Sequence, residues 1–479
     1  MSVKVALQVA LQVQVIVGAV VLGVAAPALA QEPVLGVSTR AVQGNRILGS
    51  VPPAVATTEP LRLTIGDAIF RALDTNLGIL TARQDERHAE GTRDIALSAF
   101  APNISGRLTD NWQTLNLAVF GFPRPAGVPP VVGPFNVFDA RLSVQQALWD
   151  LKARNELTAE RHNVEASGYE LSNIRALVIL ASGDAYLRAL AAARRAESAQ
   201  AQLTTAQALL DLSTDLKAGG IVAGIDVLRA QLQVSTERQR ATAASNDAEK
   251  AKLRLAYMVG LPPAQPFVLV DELPEVPGPQ MPFDEALAQA LKTRTDYLAA
   301  VERVQAAEAM RRAAEGEFLP TVRVNADYGA LGNSPASAAQ TYSVAGTVNV
   351  PIFQGAKRQG RVLEADATLR MRQAEADSLK SAIAYELRSI LLDVAAAQEQ
   401  LTVAVQARDL AAQQLAQARD RLSAGVGNSI EVVQAQEAVT VASEQYINAL
   451  YALNTARAGL VRGLGITEET VKRILGGAR

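Results

Sequence analysis

From Thr321 the chain alternates, with Thr321, Arg323, Asn325 and Asp327 on one side and Val322, Val324, Ala326 and Tyr328 on the other. A two-residue period of this kind marks a strand with one wet and one dry face. Three further segments repeat it. Asn103, Ser105, Arg107, Thr109 and Asn111 oppose Ile104, Gly106, Leu108 and Trp112, although Asp110 breaks the apolar side; Asp139, Arg141, Ser143 and Gln145 oppose Phe138, Ala140, Leu142 and Val144; Ser343, Ala345, Thr347 and Asn349 oppose Val344, Gly346, Val348 and Val350. Strands are therefore predicted at 103–118, 136–149, 321–331 and 341–352. Between them, Leu151 to Lys217 and Gly355 to Ser423 run without proline, and Val394, Ala397, Leu401, Ala404, Arg408, Ala411, Leu415, Ala418 and Leu422 follow spacings of three and four. All but Arg408 are apolar, which is a coiled-coil seam.

A helix from Leu151 to Lys217 would be about 100 Å long, too long for a compact domain. Two shorter helices are predicted, one over Leu63 to Ala99, opened by Thr64-x-x-Asp67, and one over Gly224 to Gly260. End to end they would span about 110 Å and match the long one. The geometry suggests a cylinder wall in which a continuous helix lies beside two half-length ones.

The chain is also a duplication. Leu63 to Asp110 aligns without a gap onto Met281 to Tyr328 with twelve identities in 48 positions, among them Ala89-Glu90 with Ala307-Glu308 and Phe100-x-Pro102 with Phe318-x-Pro320. Further along, Leu148-Trp149 matches Ile352-Phe353, and Asp226-x-x-x-Ala230-Gln231 matches Glu431-x-x-x-Ala435-Gln436. The units are expected at 63–260 and 282–466, with lead-in 31–62, tail 467–479 and, between them, a segment 261–281 whose six prolines read as linker.

Four strands covering a soluble core would show the same alternation. Two features favour a transmembrane barrel. The strands are about ten residues or longer, and Trp112, Phe138, Trp149, Tyr328, Tyr342 and Phe353 sit toward their ends, as an interfacial aromatic girdle would. Four strands cannot close alone and lipid tolerates no open edge, so several chains would share one barrel. Val119 to Pro134 and Gly332 to Gln340 are then the exposed hairpin loops.

Composition narrows the field. Of the residues, 49% are apolar but only 4% aromatic, which fits long helices packed through small side chains. A net charge of −2 without charge runs marks no nucleic-acid face. There is no cysteine, hence no disulfide, thiol nucleophile or lipidated N-terminal cysteine, and two histidines with five methionines supply a soft-metal site poorly. His88 and His162 fall among charged helix residues, with no partner spacing for catalysis, and are expected to be solvated; neither a catalytic group nor a cofactor is predicted. Lys4, the apolar run Val15 to Ala26 and Ala28-Leu29-Ala30 read as a secretory signal, 1–30, with cleavage before Gln31; beyond it no stretch long enough for a spanning helix is expected.

With these features the chain resembles the TolC family of outer-membrane efflux proteins over essentially its whole mature length. The paired helix starts Asp67-Ala68 and Glu285-Ala286, the Phe-x-Pro corners and Val350-Pro351-Ile352-Phe353-Gln354-Gly355 carry the likeness, with the segments Ala218-Gly219-Gly220 to Gln231 and Ala424-Gly425-Val426-Gly427 to Gln436. The resemblance implies a mainly α protein with a membrane β-barrel: a homotrimer sharing twelve strands above a twelve-helix periplasmic tunnel, in contact with outer-membrane lipid. It also implies a passive conduit for efflux or type I secretion, reached through a periplasmic adaptor and an inner-membrane pump. Its tips, here Gly219, Gly220, Gly224, Gly425, Gly427 and Asn428, would meet the adaptor. Asp226 and Glu431 would line the closed end, with Arg229 and Gln434 where the family has a second acidic position. The other reading of these two carboxylates is ordinary charge at a helix N-terminus. A structural coiled coil explains the heptads but not the duplicated strands, and an adaptor is expected to lack the duplication.

Overall fold

A computed structural model describes residues 49–52, 56–120, 129–275 and 281–465, all within the compact unit Asn45–Arg479. The expected signal, its cleavage point and the tail 467–479 lie outside these residues. The first copy contains β1 (Leu61–Leu63), α1 (Ile65–Thr75), α2 (Leu77–Ser98), β2 (Asn103–Asn116), β3 (Val131–Trp149), α3 (Leu151–Ala218) and α4 (Gly224–Met258). After β4 (Phe267–Leu269) the second repeats the plan with α5 (Phe283–Thr293), α6 (Thr295–Gly316), β5 (Thr321–Gly332), β6 (Ala339–Asn349), α7 (Lys357–Ser423) and α8 (Ser429–Gly463).

The long helices α3 and α7 have 68 and 67 residues. Along α7 all eight apolar seam positions are buried, and the ninth, Arg408, lays its guanidinium 4.1 Å from the Tyr446 ring centre on α8. Alanine recurs through the core because small side chains let helix backbones approach closely; Ala68, Ala159, Ala206, Ala286, Ala309 and Ala435 are fully buried. One window of α3 is apolar enough by composition to cross a membrane, contrary to expectation. Half of that window is buried, and Val178, Tyr186, Leu187 and Leu190 pack with Ile69, Leu255 and Leu450 in the largest core cluster.

The helix expected over Leu63 to Ala99 is two helices. Asn76, fully buried and extended (φ −66°, ψ 129°), ends α1, and its Oδ1 accepts from the Gly78 amide (2.8 Å) to cap α2. Arg294 makes the same break between α5 and α6, its guanidinium held by Asp296 (2.7 Å) and Glu386 (2.8 Å). The residues that follow α4 and α8 come close to these breaks. Gly260 after α4 (φ +70°) sits where a Cβ would come 2.4 Å from Thr75 Oγ1, and Gly465 after α8 (φ +67°) repeats this with Thr293 Oγ1 at 2.6 Å. Only glycine tolerates both the left-handed backbone and the contact.

The segments expected as linkers contribute structure as well. β1 pairs in parallel with β4, Asp271 Oδ2 accepts from the Ile65 amide (2.6 Å), and the buried Tyr186 hydroxyl donates to the Leu63 carbonyl (3.0 Å). Burial and the nearby Asp271 push the Tyr186 hydroxyl well above its ordinary pKa.

Candidate functional site

β2, β3, β5 and β6 form one antiparallel sheet in that order, whose register carries each face across all four strands. Ile104, Val144, Ala326 and Val344 make one rung, and Gly106, Leu142, Tyr328 and Tyr342 the next on the same side. The opposite side sets Ser105, Ser143, Asp327 and Ser343 in line, and there Arg141 pairs with Asp139 (3.2 Å) and Asp327 (2.5 Å). The dry face is nonetheless open: Leu108, Trp112, Tyr342 and Val344 are each at least 70% exposed. A shift in register between Ala147 and Trp149 aligns Trp149 with Val322, moving it to the apolar side that plain alternation would deny it. β3 begins at Val131, inside the segment expected as loop, because Val131 and Val132 pair with Asn116 and Leu115. Loop residues 121–128 lie outside the description.

At the other end of the molecule, α3–α4 and α7–α8 turn back at two tips of the same construction. The amide of Ile221 donates to the Leu216 carbonyl and that of Gly220 to Lys217; Val426 to Arg421 and Gly425 to Leu422 repeat the pattern. These are Schellman ends, which place a left-handed residue at Gly220 (φ +72°) and Gly425 (φ +71°). Gly427 is needed for closeness, since a Cβ would lie 3.0 Å from Arg421 Cβ and the Leu422 amide, whereas Gly219 and Gly224 have ordinary room. Asn428 caps α8 by accepting from the Glu431 amide (2.9 Å).

The tips adjoin through Asp226. Its Oδ1 accepts from Ser429 Oγ at the start of α8 (2.5 Å) and from Arg229 (3.1 Å), and these donors hold the carboxyl below its ordinary pKa despite partial burial. Glu431 pairs instead with Arg421 (3.3 Å), and Gln434 is exposed and takes part in no hydrogen bond among the described residues. Farther from the tips, Arg240 on α4 grips Glu437 on α8 with two bonds (2.8 and 3.0 Å) and shares itself with Glu237 (3.0 Å). The Glu237 side chain is 1% exposed, and burial pushes its carboxyl up although Arg240 draws it down. Ser429, Arg421, Arg240, Glu437 and Glu237 carried no local signal in the sequence. The two histidines part company. His88 is exposed as expected, but His162 is half-buried with Nδ1 2.7 Å from Glu302 Oε2 on α6.

Comparison with known proteins supplies the context for this pairing of a two-faced sheet with a long helical hairpin body. The chain is 25% identical over 366 residues to the outer membrane efflux protein BepC of Brucella suis, covering 74% of each. In fold it is similar to the Campylobacter jejuni CmeC outer membrane channel (TM-score 0.73, 16% identity, 91% of this chain and 95% of that one). It is likewise similar to the Neisseria gonorrhoeae MtrE outer membrane channel in its open state (0.72, 16%, 87% and 95%). The outer membrane efflux protein family matches twice, over 68–261 and 286–466, once for each copy of the repeat. The location that goes with it is the outer membrane, with the helical body on the periplasmic side. The chain belongs to the outer membrane efflux protein family.

Proposed function

We propose that three copies of this chain close a twelve-stranded barrel through the outer membrane and a helical tunnel beneath it. The assembly is a passive conduit that receives its cargo from a periplasmic adaptor and an inner-membrane pump. The observation that carries this reading is the sheet: an exposed face that is apolar apart from Asp110 and Gln146, a polar face with the Arg141–Asp327 pair, and two outer strands, β2 and β6, each with one edge unpaired among the described residues. Lipid accepts such a sheet only if the edges close. β2 and β6 are antiparallel to each other in the chain order, so β2 of one copy can pair with β6 of the next. The wet face then lines the lumen.

On this reading Asp226 with Ser429, and Arg240 with Glu437, fasten the two hairpins of each copy into the closed arrangement, and the glycine tips Gly219, Gly220, Gly224, Gly425 and Gly427 with Asn428 are the surface offered to the adaptor. Purified protein in a planar bilayer is expected to give uniform, long-lived, weakly conducting channels. Absence of any conductance from correctly assembled protein would refute the conduit.

A further inference from the structure

We propose that His162, Glu165 and Glu302 form a site for a divalent transition ion of the Zn2+ class, which clamps the first repeat to the second within the helical wall. The ligand atoms of the three lie within 4.8 Å of one another, and they come from both copies: His162 and Glu165 from α3, Glu302 from α6. Residues three apart on a helix share a face, so His162 and Glu165 point to the same seam, where α3 runs beside α6. Glu302 answers from across it, its Oε2 2.7 Å from His162 Nδ1.

The charge balance also asks for a cation. Glu302 and His162 are only 19% and 29% exposed, and among the described residues no lysine or arginine pairs with Glu302 or Glu165. The nearest arginine on α6 in sequence, Arg303, is taken by Glu170 (3.2 Å). Two carboxylates therefore face one imidazole, an excess of negative charge that a proton on His162 offsets only in part. One nitrogen and two carboxylate oxygens suit a borderline ion and leave a fourth position for water. The imidazole argues against Ca2+ or Mg2+, which take all-oxygen sets, and the lack of sulfur argues against Cu(I). Coordination needs the Nδ1 lone pair, so any proton at that nitrogen passes to water as the ion binds. The scarcity of histidine and cysteine that speaks against a soft-metal site in this chain does not touch a site of this composition. His162-x-x-Glu165 is its trace in the sequence.

The test uses the full-length protein in detergent, stripped with a chelator and titrated with Zn2+ alone. Calorimetry and elemental analysis are expected to give one tight site per chain, and the melting temperature is expected to rise with Zn2+. Glu165→Gln, an exposed position that leaves the fold undisturbed, should weaken binding at least roughly tenfold, and His162→Ala should do the same. Co2+ in place of Zn2+ should give a visible absorption band that His162→Ala removes. Zn2+ bound equally by the original protein and Glu165→Gln, or no stoichiometric binding at all, would overturn the site while leaving the channel reading intact.

Discussion

Val344 is the central residue of the eleven-residue β6 and ends a rung of apolar side chains that runs through Ala326 and Val144 to Ile104. It is 72% exposed in the chain, with nothing but lipid to cover it if the sheet is part of a barrel. Val344→Arg would then place a guanidinium near the midplane at about 2–4 kcal/mol per copy. A shared barrel carries three copies, hence roughly 6–12 kcal/mol per assembly, comparable with the whole stability of an ordinary domain. Ser343→Arg is the matched control: it is the adjacent residue on the opposite face, directly across from Asp327, where a new arginine shares the carboxylate that Arg141 already holds and stays wet. Thr347 is a poorer choice, since it faces Arg323 across the strands. Heat-resistant oligomer in the outer-membrane fraction, quantified on gels, is expected to vanish for Val344→Arg and to persist for Ser343→Arg. Equal tolerance of the two would mean that the dry face meets no lipid, and the barrel would be wrong.

Other outcomes follow from the same structure. Asp226→Asn with Glu431→Gln is expected to raise closed-channel conductance and lower its preference for cations in single-channel recording; an unchanged ratio would reduce both to helix-end charges. Because Asp226 titrates below its ordinary value, its link to Ser429 contributes at all pH above about 4 and is lost only as pH falls through the depressed value, so conductance should stay low down to pH 4 and rise beneath it. Gly260→Ala should cost about 1–2 kcal/mol from the left-handed backbone alone, and more from Thr75, whereas Gly183→Ala, in open space within α3, should be neutral or gain about 0.5–1 kcal/mol; thermal melts compare them. N-terminal sequencing of membrane-extracted protein should begin at Gln31.

What could be read from the sequence was whatever repeats at short range. The seam from Val394 to Leu422 and the faces of the four strands have periods of three to four residues and of two, so they stood out, and the observed burial and register agree with them. The break at Asn76 did not, because one capping side chain decides it within an unbroken helical pattern. The displacement of Trp149 to the dry face depends on one extra residue in β3, invisible to alternation. At the tips, the glycines were legible from their spacing but not the partners of the carboxylates: Ser429 stands 203 residues from Asp226, Glu437 197 from Arg240 and Glu302 140 from His162. Contacts of that range are made by the folding of one copy of the repeat against the other, and a single chain read along its length has no record of them.

The central claim, that the sheet is one third of a closed barrel, is tested most directly by native mass spectrometry of protein released from detergent micelles. The account predicts a single species of three chains, close to three times the chain's 50.6 kDa less the signal, that persists on dilution. A stable species of one chain, keeping its strands with β2 and β6 unpaired, would contradict it.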